Sequence, residues 1–174
     1  MKTLSQLRAL LFDPMDRGDW LLPTLARLVF LAVFFFYFLN SAGTKIEGSI
    51  FSPSAGAFAQ IFPKAAEEVL YDVTQLSAIQ RIIILLGTVA EYVLPVLIVL
   101  GLLTRLAALG MVGFVAVQTL VDVTGHGVKL GAWFNNAPEL LDDRTLWIFL
   151  FIVMVIKGAG PISVDRFFTA KSDA

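Results

Sequence analysis

The sequence predicts an all-α, polytopic membrane protein, a bundle of four transmembrane helices with short amphipathic helices at its interfaces. Composition is the first observation behind this reading. Hydrophobic residues make up 57% of the 174 and charged residues 16%, and the mean hydropathy is +0.81. A soluble domain is about 45–50% apolar and about 25% charged. The second observation is clustering: the apolar residues collect in long runs, as bilayer spans do. The third is their continuity. Barrel strands alternate apolar and polar residues, whereas an unbroken apolar run in lipid must be a helix, because a helix satisfies its own backbone hydrogen bonds.

Taken from the N-terminus, Leu4, Leu7 and Leu11 follow helical spacing until Asp13-Pro14 breaks the run. This predicts a short helix on the inner leaflet. The first span covers residues 21–42, including Phe34-Phe35-Phe36, part of which must face lipid or a partner chain. It is longer than the apolar core of a signal peptide and follows Asp13, Asp16 and Asp19, so retention is expected. An outer loop follows over residues 43–78. There Phe62, Ala66, Val69, Val73 and Leu76 recur at steps of three and four behind Pro63, which suits a helix start. The second span covers residues 79–103 and the third 106–123. A second outer loop, 124–144, mixes Gly, Asn, Pro and aromatic residues, and the fourth span covers 145–162. The tail begins after Gly158-Ala159-Gly160-Pro161, where Ser163 could cap a short helical turn. The whole chain reads as one membrane domain without internal repeats.

Basic residues set the orientation. Four crossings put Lys2, Arg8, Arg17, Arg27, Arg105, Lys157, Arg166 and Lys171 on one side and Lys45, Lys64, Arg81, Lys129 and Arg144 on the other. The richer side should be cytoplasmic, with both termini. Trp20, Trp133 and Trp147 fall near the expected interfaces.

Composition also excludes functions. With 13 basic and 14 acidic residues, the chain lacks the basic face that nucleic acid requires. The absence of Cys removes thiolate chemistry and Cys-ligated metals. One His cannot make a bis-His haem site. No Ser/His/Asp triad, phosphate loop or dinucleotide fingerprint occurs. Any electron carrier must come from elsewhere.

Glu91 is the strongest single signal. It sits mid-span, where a carboxylate is costly and usually faces the bundle interior. Pro95, four residues on, cannot donate to the Glu91 carbonyl, which leaves a second acceptor. Two readings stand: a ligand or proton-handling site, or a structural link between helices. Arg27, entering the first span, is the natural partner for Glu91, unless it anchors at the headgroups. Gln118 and Asp122 share one face near the outer end of the third span. With His126 and Arg81 they could line a polar mouth, or simply end a solvated helix; a metal site there is a weak prospect. Tyr37, Asn40 and Ser41 give the first span a polar outer end. Gly87, Gly101, Gly110 and Gly113 are expected to be helix-packing positions.

Three stretches together resemble the DoxX family of small bacterial membrane proteins. They are Arg27-Leu28 at the opening of the first span, Glu91 with the run Gly101-Leu102-Leu103-Thr104-Arg105-Leu106-Ala107-Ala108, and the tail Gly158-Ala159-Gly160-Pro161-Ile162-Ser163-Val164-Asp165-Arg166. The likeness covers roughly residues 24–168. It implies four transmembrane helices, the bacterial inner membrane and a link to membrane redox systems, with a quinone as the ligand to expect. The family is named after a subunit of a terminal quinol oxidase and is related to DoxD; other members are associated with thiol-redox and oxidative-stress partners. The chain departs from the family in its two long outer loops, and the basic residue that closes the family's first span is matched only loosely by Lys45.

Three functions follow as expectations. The first is an accessory subunit of a quinone-linked or thiol-redox system without a redox centre of its own, working with other membrane subunits or as a homo-oligomer. The second is a structural or assembly subunit of a larger complex. The third is a small proton-coupled transporter or ligand-binding bundle. A free-standing enzyme ranks last.

Overall fold

The computed structural model describes residue 18, residues 20–135 and residues 137–172, with the side chains of 169–172 outside that description. The helix expected around Leu4 to Leu11 lies outside the described residues. The rest is predominantly helical. Helix α1 runs Leu21–Thr44. A short antiparallel hairpin follows, β1 (Ile46–Glu47) and β2 (Ser49–Pro53). Then come α2 (Ala55–Ile61), α3 (Pro63–Glu68), a 3-10 turn at Val73–Gln75, α4 (Ala78–Leu100), α5 (Thr104–Thr124), α6 (Leu140–Lys157) and α7 (Val164–Ser172).

Helices α1, α4, α5 and α6 pack in a closed ring, each against the next. Three of them, α1, α4 and α5, are long and apolar enough to cross a membrane. The fourth expected span is shifted. Helix α6 starts at Leu140, carries Asp142, Asp143 and Arg144 in its opening turns and stops at Gly158. Its uncharged part, residues 145–156, rises about 18 Å at 1.5 Å per residue, against a hydrocarbon core of about 30 Å.

The buried residues explain the packing. On α1 they are Pro23, Ala26, Phe30, Phe34, Phe38 and Ala42. Each step of four overshoots a 3.6-residue turn by about 40°, so the stripe would drift off the bundle. A wider π-helical turn at Leu31–Phe35 holds an extra residue and brings the stripe back. Phe34 is thereby buried while Phe36 is 63% exposed, so the phenylalanine run divides between core and surroundings as its wrapping implied. On α4 the buried set is Ile84, Thr88, Glu91, Pro95 and Ile98, a seven-residue repeat that carries the carboxylate inward.

Both ends are locked by specific contacts. Ser77 and Gln80 form a reciprocal capping box at the start of α4. Helix α4 ends at Gly101, in the left-handed region at φ 68°. A Cβ there would come within 2.8 Å of the Arg27 guanidinium carbon, so only glycine fits. The Asp165 carboxylate accepts from the backbone N–H groups of Leu103 (2.7 Å) and Thr104 (3.0 Å), capping α5. The Ser163 hydroxyl, just before α7, donates to the Gly160 carbonyl.

The long first outer loop forms a cap rather than one helix. Pro63 does open a helix, but α3 ends at Glu68, and Leu70 and Tyr71 take positive φ. The hairpin and α2 precede it, and Ala57, Phe58, Ala66 and Leu76 form a small core against Ile84 of α4. Asp72 caps the 3-10 turn; hydrogen bonds from the Thr74 hydroxyl and N–H hold its carboxyl below the ordinary carboxylate range.

Candidate functional site

Glu91 is buried on α4 and faces the end of α1. Its Oε2 accepts from Lys45 Nζ at 2.7 Å and its Oε1 from Ser41 Oγ at 3.1 Å. Lys45 Nζ also donates to Ser41 Oγ at 2.8 Å. The three side chains close a triangle in which the serine hydroxyl donates to the acid and accepts from the amine. Lys45 is 3% exposed and Glu91 4%. Two charges so placed are tolerable only when paired and hydrogen-bonded. The first outer loop secures this: Ser54 N–H donates to the Lys45 carbonyl and Ser54 Oγ to the Thr44 carbonyl, fixing the lysine backbone under the hairpin.

Arg27 is not the partner of Glu91. It donates to the carbonyls of Ile98 and Val99 at the end of α4 and to those of Ala159 and Ile162 after α6. Ile98 lies seven residues beyond Glu91, about 10 Å along the helix. The carbonyls at the end of α4 and after α6 satisfy the guanidinium there, and it ties three segments together. Sequence reasoning placed Lys45 among the outer topogenic charges and Ser41 in an ordinary polar helix end. Their spacing of four, which puts both on one helix face, was the available signal.

A cavity of about 350 Å³ adjoins the pair, between α4 and α5. Lys45 and Glu91 form part of its wall, with Gln118 and Asp122 across it on α5. Glu91, Gln118 and Asp122 therefore share one space, and Arg27 does not. Gly87 and Gly113 line it too, and a Cβ on either would meet nothing within 4 Å. These two glycines hollow the interface instead of tightening it. Gly110 is a close-packing position as expected, with Leu94 carbons 3.1 Å from its would-be Cβ. Leu86 and Val117, both exposed, stand at the wall, so the cavity opens sideways through an apolar belt.

The outer polar mouth is differently composed from the expectation. Asp122 pairs with Arg144 at 2.8 Å, and the Arg144 guanidinium lies 4.3 Å from the Trp147 ring centre. Trp147 thus packs into the aromatic core, 4.9 Å from Phe34, rather than standing free at an interface. His126 engages the Gln60 carbonyl, and Arg81 donates to carbonyls of Val73, Thr74 and Leu76. Gln118 donates to Tyr37 Oη at 3.2 Å, while its buried amide oxygen has no partner.

This cavity keeps spare acceptor capacity. A carboxylate offers about four lone-pair sites, and Glu91 uses two of them on Ser41 and Lys45. The Gln118 oxygen is unused. The walls suit an apolar molecule with a hydrogen-bond-donating head. No family model, curated protein or solved structure matches this chain.

Proposed function

We propose that this chain is an accessory integral-membrane subunit of a quinone-linked redox system, as its DoxX-like sequence features imply, and that the cavity between α4 and α5 receives a quinol headgroup. Electron carriers would reside in partner chains. In this reading α6 is the fourth crossing, both termini are cytoplasmic and the membrane is the bacterial inner membrane. The pairing of Arg144 with Asp122 and Trp147 supports α6 as a crossing, because it shelters the charged opening turn where a headgroup boundary would fall.

The observation that carries the proposal is the meeting of a buried, hydrogen-bonded carboxylate with an apolar space that opens sideways. A quinol hydroxyl would donate to Glu91 or to the Gln118 amide oxygen, and its ring and tail would lie between Leu86 and Val117. The test is extraction of the protein in mild detergent, followed by mass spectrometry of bound isoprenoid quinones. Wild type is expected to retain quinone. Glu91→Gln should lose about ten- to a hundredfold in affinity, the worth of one charge-assisted hydrogen bond of about 1.5–3 kcal/mol. Equal retention by wild type, Glu91→Gln and a cavity-filling Gly113→Leu variant would refute it.

A further inference from the structure

We propose that the cleft at the opposite end of the bundle binds the phosphate of an anionic glycerophospholipid. The cleft measures about 780 Å³ and lies between the start of α5, the end of α6 and α7. Three cations line it: Arg105, Lys157 and Arg166. Among the described residues of its wall the one carboxylate is Asp165, which accepts from the backbone N–H groups of Leu103 and Thr104 at the start of α5. Arg27 lies behind it, held on backbone carbonyls. The described residues lining the cleft thus carry three positive charges against one negative. Room for the Arg105 guanidinium depends on Gly158, whose missing Cβ would sit 3.2 Å from Arg105 Nε. Thr104 also contributes to the wall, wholly buried, with a hydroxyl that has no partner.

The rim distinguishes a lipid from a soluble phosphate. Leu103, Leu106 and Phe168 line the cleft and are each more than half exposed. The cleft sits where α4 ends and α5 begins, both of which are long and apolar enough to span a membrane. A ligand with an anionic head and acyl chains matches cations and exposed apolar side chains at one level. An inorganic anion would leave the rim unused. Clusters of basic residues next to spans attract anionic headgroups at about 1 kcal/mol per cation.

The experiment is native mass spectrometry of the full chain in neutral detergent, titrated with phosphatidylglycerol or phosphatidylcholine of identical acyl chains, with inorganic phosphate as a competitor. Phosphatidylglycerol should bind about thirtyfold more tightly than phosphatidylcholine, as two of these cations near an anionic head imply. Arg105→Gln/Arg166→Gln should abolish that preference, while Lys129→Gln, in the loop at the other end, should leave it intact. A thermal melt of the double variant close to that of wild type excludes unfolding; if it melts early, Lys157→Gln provides the same reading. Equal binding of the two lipids, retention of the preference by both sets of variants, or displacement of the lipid by millimolar phosphate would overturn the proposal.

Discussion

At the scale of single residues, the Lys45–Glu91 pair sets the stakes. Removing one member strands the other in an apolar interior. Lys45→Met is expected to lower stability by about 3–5 kcal/mol, and the double Lys45→Met/Glu91→Leu by clearly less, since no lone charge remains. Unfolding curves in detergent measure both; losses that simply add would show that the charges act independently. Gly101→Ala should cost about 1–3 kcal/mol by the same assay, because alanine resists the left-handed backbone and its Cβ would displace Arg27. Glu91 was legible from sequence because a carboxylate inside an apolar run is anomalous in any fold. Its partner was not. The choice between Arg27 and Lys45 depends on which carbonyls reach Arg27 first and on how the outer loop folds over Lys45, and neither is a local property of the chain.

At the scale of elements, the apolar runs fixed where α1, α4 and α5 lie, because helix formation in lipid follows from continuity alone. Their roles in packing were less legible. Glycines that bring helices together and glycines that leave a gap look alike in a sequence, and only the opposing side chains separate Gly110 from Gly87 and Gly113. Gly113→Leu should fill the cavity with little loss of stability, within about 1 kcal/mol, since an apolar side chain enters open apolar space. A large destabilisation would mean that the helices close on that position. The cap between α1 and α4 escaped a one-helix reading because the periodicity from Phe62 to Leu76 ignores the turn that Leu70 and Tyr71 impose. Asp165→Ala should weaken the start of α5 by about 1–2 kcal/mol, as a lost N-cap does, and amide exchange at Leu103 and Thr104 should quicken first.

At the scale of the whole molecule, the number of crossings decides which surfaces meet which compartment. The chain contains no cysteine, so single cysteines can be placed without background. If α6 crosses, an impermeant maleimide added to right-side-out vesicles should label Lys129→Cys and spare both Arg105→Cys and Arg166→Cys. Labelling of both Lys129→Cys and Arg166→Cys would place them on one face and leave α6 as a helix that does not traverse the bilayer. The ring of four helices was foreseeable from hydropathy; the charged start of α6, stabilised by Asp122 and Trp147, was foreseeable only once those partners were known.

The grip of Arg27 on Ile98, Val99, Ala159 and Ile162 touches main-chain oxygens alone. A contact of that kind is blind to which amino acid supplies the oxygen. Evolution is then free to exchange the apolar side chains at those four positions, while residue 27 itself must keep a planar donor with several N–H groups. Among natural variants, lysine should be rarer at position 27 than any apolar exchange at the four carbonyl positions.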